Sequence, residues 1–272
     1  MIIAGSELCQ THIMLTVETS NPETLILAIE TATRAGSVAV ARGETLLSCR
    51  EGDASISHST NLIEMIDAVL NEAGARLSDV DVFAVAVGPG SFTGLRIGLA
   101  TVKAFAEVNQ RPIVGISTLA AVAHASALEG DVVSLLPAGR GEVFAQMFSV
   151  AAGEVEAKDE PAHLSPAETI SRYGSTSGVQ FSGEGAPKLS ELIRDSAHQT
   201  ASEDSRARII KSLNAARSSV PLAGSIAALA LKDYREGKAV KPEDLHAVYV
   251  RPSDAEINER WQQQKQQPQP QA

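Results

Sequence analysis

Short apolar runs and amphipathic stripes alternate along residues 25 to about 252, and their two periods predict the elements. Leu25-Ile-Leu-Ala-Ile29 has the length and composition of a buried strand. A turn over Thr31 to Gly36 leads to Ser37-Val-Ala-Val-Ala41, and Arg42-Gly43-Glu44 turns the chain into Thr45-Leu-Leu-Ser48, so a three-stranded meander is expected. From about Ser59, Leu62, Met65, Ile66, Val69 and Leu70 fall on one helical stripe, with Gly74 where a C-terminal cap belongs. Val82 to Val87 is the clearest strand, followed by a glycine-rich loop and a helix near 94–108. Arg111 to Ile116 reads as another strand, and an alanine-rich helix starts at Thr118.

The second half repeats that order more faintly. Val132 to Leu136 and Glu142 to Phe148 are strands, with a third near 154–160. Ser165-Pro166-Ala-Glu168 places a capping serine, a proline at the first helical position and a glutamate three residues on, a helix start. A strand at 178–182, a helix near 187–195 and a long helix near 221–235 closed by Gly237 follow. The order β-β-β-α-β-α thus occurs twice without a detectable sequence repeat, which predicts an α/β fold of two similar units. The expected divisions are a polar leader at 1–24, units at 25–128 and 129–218, a closing helix and strand at 219–254, and a disordered Gln-rich tail at 255–272. The leader has no evident role, and a misassigned start codon is one account of it.

Composition narrows the function. Hydrophobic residues make up 44% and charged residues 21% of the 272, so a sizeable core can form, and aromatics at 4% leave it to aliphatic side chains and alanine. Lys and Arg number 23 against 33 Asp and Glu, a formal charge of −10 that lacks the positive field of an unaided nucleic-acid binder. The one loose basic cluster, Arg206, Arg208, Lys211 and Arg217, reads as a solvated face. Two cysteines, Cys9 and Cys49, make no disulfide framework, and no apolar run has the length of a membrane span, so a cytoplasmic protein with no membrane partner is expected.

Chemistry centres on Val87-Gly88-Pro89-Gly90-Ser91-Phe92-Thr93-Gly94-Leu95-Arg96-Ile97-Gly98. Strand, glycine turn and helix N-terminus bring backbone N–H groups together where an anion could meet them. A P-loop would need Lys-Ser/Thr after its last glycine, and here Leu95-Arg96 stand there. The spacing also fails the dinucleotide fingerprint, which leaves a tight turn with close strand–helix packing as the plain reading. Gly98 costs its helix about 1 kcal/mol relative to alanine. It therefore marks close approach of another helix or chain, in this subunit or a partner.

Val85 to Thr101 resembles the signature of the bacterial TsaB family, Gcp-like proteins that are the non-catalytic partners of TsaD in making threonylcarbamoyladenosine on tRNA. Leu27-Ala-Ile-Glu-Thr31, His58-Ser59, Val114 to Thr118, Gly141 to Phe144, Ser182 to Gly185 and Tyr249-Val-Arg-Pro252 agree in order, so the resemblance spans about residues 25–254. It implies two actin-like (ASKHA, ribonuclease H-like) subdomains, each a mixed sheet with flanking helices. It also implies a scaffold or activating subunit with no catalytic residue of its own, working beside a TsaD-like threonylcarbamoyltransferase and a TsaE-like ATPase. Such a chain pairs with itself when alone and reaches tRNA only through the complex. It requires no cofactor, with room for ATP or ADP at the partner interface.

Several residues bear on that expectation. Related TsaD-type subunits carry a His-x-x-x-His metal site, whereas His12, His58, His124, His163, His198 and His246 include no pair four apart, so no metal site is expected. Actin-like ATPases hold phosphate-bound metal with an aspartate at the end of the first strand; here Glu30 stands there, with Thr31 and Thr33 after it. Glu30, Thr31, Thr33, Gly88 and Gly90 are weak cofactor candidates, against the alternative that Glu30 and the threonines satisfy turn N–H groups. Pro137-Ala138-Gly139-Arg140 replaces the family's Asp-Ala-Arg and removes its charged pair. Two rival readings remain: an actin-like ATPase or small-molecule kinase, and a peptidase-like hydrolase, for which Ser91 and His58 offer no supported pairing and Cys49 reads as buried packing. For the docking surface, the helical stripes nominate Asn61, Leu62, Met65, Leu95, Gly98, Leu99, Val102 and Phe105. On that assignment Leu99→Glu would abolish association and leave the monomer folded.

Overall fold

The computed structural model describes residues 24–195, 207, 212–213 and 220–250, without the side chains of 188 and 192–195. The leader up to 23, the loose basic cluster and the Gln-rich tail lie outside the described residues.

Five layers stack in the order helices, sheet, helices, sheet, helices. The first sheet is built from β1 (Leu25–Glu30), β2 (Ser37–Arg42), β3 (Thr45–Glu51), β4 (Val82–Gly88) and β5 (Ile113–Ser117), in the order β3-β2-β1-β4-β5. β1 to β3 form the antiparallel meander, and β4 and β5 add parallel to β1. The second sheet repeats this plan with β6 (Gly130–Gly139), β7 (Glu142–Ala151), β8 (Glu154–Ala157) and β10 (Gln180–Ser182), in the order β10-β6-β7-β8. β6 and β7 are antiparallel, and β10 runs parallel to β6 as β4 does to β1. A short β9 (Ala162–Leu164), absent from the sequence reading, pairs with the start of β7.

Strand periodicity assigns the faces. Leu25, Leu27 and Ile29 point out to α1 (His58–Glu72) and α2 (Phe92–Asn109), while Ile26 and Ala28 point to the middle layer. Val133 and Leu135 likewise face α4 (Pro166–Tyr173) and α5 (Gly185–Asp195), and Val132 and Leu136 face inward. The middle layer holds α3 (Thr118–Ala125) and α6 (Ala223–Arg235). Ala28, Ala39, Ala41, Ala84 and Ala86 of the first sheet meet Ala223, Ala227 and Ala230 of α6 there, all at 5% exposure or less. Small residues on both sides let helix and sheet approach closely, which explains how a chain poor in aromatics reaches interior packing density.

The middle helices are exchanged between halves: α3 follows β5 yet packs on β6, β7 and β8, and α6 comes from beyond the second sheet yet packs on β1, β2, β4 and β5. The anticipated boundary at 128/129 therefore separates sheets, not cores. Ser165 and Glu168 form the expected capping box on α4, with Glu168 N to Ser165 Oγ at 3.3 Å and Ser165 N to Glu168 Oε2 at 2.8 Å. The closing segment differs from expectation. After α6, a bridge from Val240 to Ile113 and a turn at Pro242–Asp244 lead into an irregular stretch through Val250, not a strand.

Candidate functional site

The carboxyl ends of β1 and β4 lead into a cleft of about 720 Å³ between the two sheets. One wall comes from Thr33, Arg34, the 54–58 segment and the glycine loop with the first turn of α2. The other comes from Leu136, Pro137, Ala138, Phe144 and Glu184, and Val248 to Val250 close the end. The volume is ample for a small ligand.

The glycine loop is occupied by its own chain. Ser91 N donates to Ala32 O at 2.8 Å, and Val248 N donates to Val87 O at 2.7 Å. A Cβ on Gly94 would stand 1.9 Å from Thr31 O, and one on Gly98 2.3 Å from Thr31 Oγ1. Thr31 Oγ1 in turn donates to Gly94 O at 2.8 Å. The close approach that Gly98 signals is thus the end of β1 against α2 within this subunit. Gly88 has φ +115°, and a Cβ there would also strike Val248 O at 2.5 Å. Gly90 is pressed on Ala32 in the same way.

Glu30 is buried and committed. Thr33 donates to it from N at 2.6 Å and from Oγ1 at 2.7 Å. Burial pushes the Glu30 carboxyl above the usual range, only partly opposed by these Thr33 hydrogen bonds, and Glu51 adds repulsion. The turn-closing alternative for Glu30 and Thr33 is the one the geometry realises. Glu184, on the loop between β10 and α5, lines the opposite wall; its carboxyl is raised by burial first and then by Glu30 and Glu51.

No pairing of nucleophile and base appears among these groups. Ser91 Oγ caps α2 by accepting from Gly94 N at 3.2 Å, while His58 Nε2 lies 2.9 Å from Thr33 O. Cys49 is half-buried against the middle layer, and burial raises its thiol, which disfavours the thiolate a nucleophile needs. Among the described residues no group of three His, Cys, Asp or Glu side chains could hold a metal ion. No helix among them is long and apolar enough to cross a membrane.

The expected docking residues need correcting in phase. Leu62 (4% exposed), Leu95 (1%), Leu99 (8%) and Val102 (0%) sit in the chain's own core, Gly98 is buried against Thr31, and Asn61, Met65 and Phe105 are half-buried. Leu99→Glu would force a carboxylate into that core, so loss of the fold is expected instead of a folded, unassociated monomer. An apolar stripe at helical spacing is the core-facing stripe by default, and α1 and α2 cover the outer face of the first sheet with it. The outward side of α2 carries Thr93, Ala100, Ala104 and Val108, with half-buried Ile97 between Thr93 and Ala100, at spacings of three, four and seven residues. Beside it α1 exposes Thr60, Ile63, Glu64 and Asp67, with Val108 at 82% and Ile63 at 58% exposure.

Comparison with known proteins gives this two-sheet architecture its relatives. The family described as "TsaD: tRNA N6-adenosine threonylcarbamoyltransferase" matches residues 52–258, so the chain falls in that broad class. It is 29% identical to the "tRNA threonylcarbamoyladenosine biosynthesis protein TsaB" of Escherichia coli K12 over 236 residues, covering 83% of this chain and 94% of that one. It is 38% identical to the Haemophilus influenzae protein of the same description over 102 residues, 37% of this chain and 42% of that one. A Pseudomonas aeruginosa structure described as having similarity to peptidase YEAZ superposes with a TM-score of 0.69 at 25% identity, covering 84% of this chain and all of that one. Within the broad class, the chain belongs to the TsaB family.

Proposed function

We propose that this chain is a non-catalytic subunit in tRNA threonylcarbamoyladenosine biosynthesis, supporting a TsaD-like threonylcarbamoyltransferase together with a TsaE-like ATPase. The descriptions of its relatives support the pathway. The observation that carries the scaffold role is the filled glycine loop. The N–H groups of Ser91 and Gly94, the Glu30 carboxylate and the His58 ring are already engaged with groups of this chain. Chemistry is therefore assigned to the partner, and tRNA is met through the complex. The chain needs no cofactor of its own, with room for ATP or ADP at the partner boundary.

Docking is assigned to the outward faces of α1 and α2. Ile63, Ala100, Ala104 and Val108 form an apolar and small-residue surface that allows close helix-to-helix approach, and the same surface serves a homodimer when the chain is alone. The test is reconstitution with the TsaD-like subunit and TsaE-like ATPase of the same source, the adenylate donor and tRNA, reading threonylcarbamoyladenosine in digested tRNA. Modification that depends on this chain supports the role, and equal modification without it sinks it. Ala104→Glu should lower association at least a hundredfold, about 3 kcal/mol for a charge buried without a partner.

A further inference from the structure

Residues 245–250 run along the carboxyl end of β4, and Val248 to Val250 close one end of the cleft where an open α/β sheet ordinarily receives a ligand. Such sheets bind in the crevice outside the carboxyl ends of their strands, where the connections leave in opposite directions. In the first sheet that point lies between β1, which leads to β2 on one side, and β4, which leads to β5 on the other. Beside it, on β4, Val248 N donates to Val87 O at 2.7 Å. Leu245 is buried, and its side chain fills the space a Cβ on Gly115 of β5 would need. The Tyr249 ring then packs on Phe92 at a centroid distance of 5.1 Å, and the Arg96 guanidinium lies over the Phe92 ring at 4.0 Å. Phe92 is the first residue of α2, and Arg96 is one turn on.

We propose that this segment is a strap that positions α2 for docking, with Tyr249 as the positioning residue. The inference rests on the docking surface assigned above. One end of α2 is tied by the strap to the carboxyl end of β4, while Val108 near the other end stands 82% exposed. Ser91 answers one of the four N–H groups that a helix start leaves open, and it fixes the cap, not the direction of the axis. The buried face of α2 lays the helix on the sheet, and the stack of Arg96, Phe92 and Tyr249 holds its first turn by joining it to a segment anchored in the sheet. Tyr249 is 49% exposed, so its ring contributes more to holding Phe92 than to filling the core. Thr93 and Ile97, the start of the outward stripe of α2, lie in the turn so held and also line the cleft.

The experiment uses the full chain and the TsaD-like subunit of the same source, with Tyr249→Ala, Tyr249→Phe and Ala104→Glu. Affinity is read by titration, local order by amide exchange of residues 92–96 in the uncomplexed chain, and folding by thermal melting. Tyr249→Ala should weaken association about three- to tenfold, the scale of one aromatic contact. It should also speed exchange at 92–96 with the melting transition retained, and Tyr249→Phe should restore both because the ring carries the contact. Wild-type affinity or unchanged exchange in Tyr249→Ala, with Ala104→Glu failing to associate, overturns the strap and leaves the docking surface standing. Normal association of Ala104→Glu overturns the docking surface and the strap with it. If Tyr249→Ala does not fold, Arg96→Ala removes the exposed end of the same stack. Faster exchange at 92–96 in that variant supports the proposal, and wild-type exchange overturns it.

Discussion

The two sheets share one plan, yet the glycine loops that follow their equivalent strands have opposite fates. After β4, the Gly88 to Gly94 loop is closed over by Ala32, Thr31 and Val248. After β10, Gly183 and Gly185 also pack tightly, against Leu135, but between them Glu184 is left half-buried on the cleft wall. In the first loop the N–H groups of Ser91 and Gly94 are consumed by the fold; in the second a carboxylate is held out at a cost in desolvation. A shared strand plan therefore does not predict equivalent chemistry, and what separates the loops is which segment of chain comes to rest on each.

The comparison breaks most sharply at the glycines. Gly94→Ala puts a methyl 1.9 Å from Thr31 O, a backbone atom that cannot step aside. A loss of about 3 kcal/mol or more is expected, at the upper end of overpacking costs. Gly185→Ala meets its nearest atoms at 3.1 to 3.2 Å and should cost about 1 kcal/mol. Denaturant midpoints of the two variants test this, and equal losses would erase the distinction.

Next in size is Thr33→Val, which removes the hydroxyl that donates to Glu30 Oε2 at 2.7 Å. A buried carboxylate oxygen is then left short of a partner, costing about 1–3 kcal/mol at neutral pH. Stability measured at pH 4 and pH 8 should differ more in this variant than in the wild type, because protonation relieves the buried charge.

The pH dependence follows from the same carboxylates. Glu30 and Glu184 are both raised in the fold, so the stability they contribute is fully present below the ordinary carboxylate range and is lost as pH rises through their folded values. Glu184→Gln should flatten part of that decline while leaving the glycine loop unchanged. His124 acts in the opposite direction. Burial lowers its pKa beside Ser225, so stability falls as pH drops below about 6.5, where the unfolded chain takes up the proton first. His124→Gln should remove that acid-side slope in a urea-unfolding series.

Much of the fold was legible because its signals are local. The meander, the capping box at Ser165 and the glycine after α6 each depend on residues within a few positions, and all three are present. β9 escaped because three half-buried residues carry no period to read. The site was less legible because its partners are distant in sequence. Thr31 explains Gly94 and Gly98 across more than sixty residues, and Val248 explains Gly88 across 160. Periodicity found the stripes on α1 and α2 but could not say which side met the sheet. The outward face is marked by modest residues such as Ala100 and Ala104, which leave no hydrophobic signal.

The exchanged middle helices bear on how the protein can be divided. A break in the turn between α3 and β6 would give one piece holding the first sheet without α6, and another holding the second sheet without α3. Neither piece alone would cover the inner face of its sheet. Produced together, each would supply the helix the other lacks, so the halves should assemble on mixing as a self-complementing split protein. The chain could thus be cut in two and still work, while either half produced by itself would have an exposed apolar sheet and no means of hiding it.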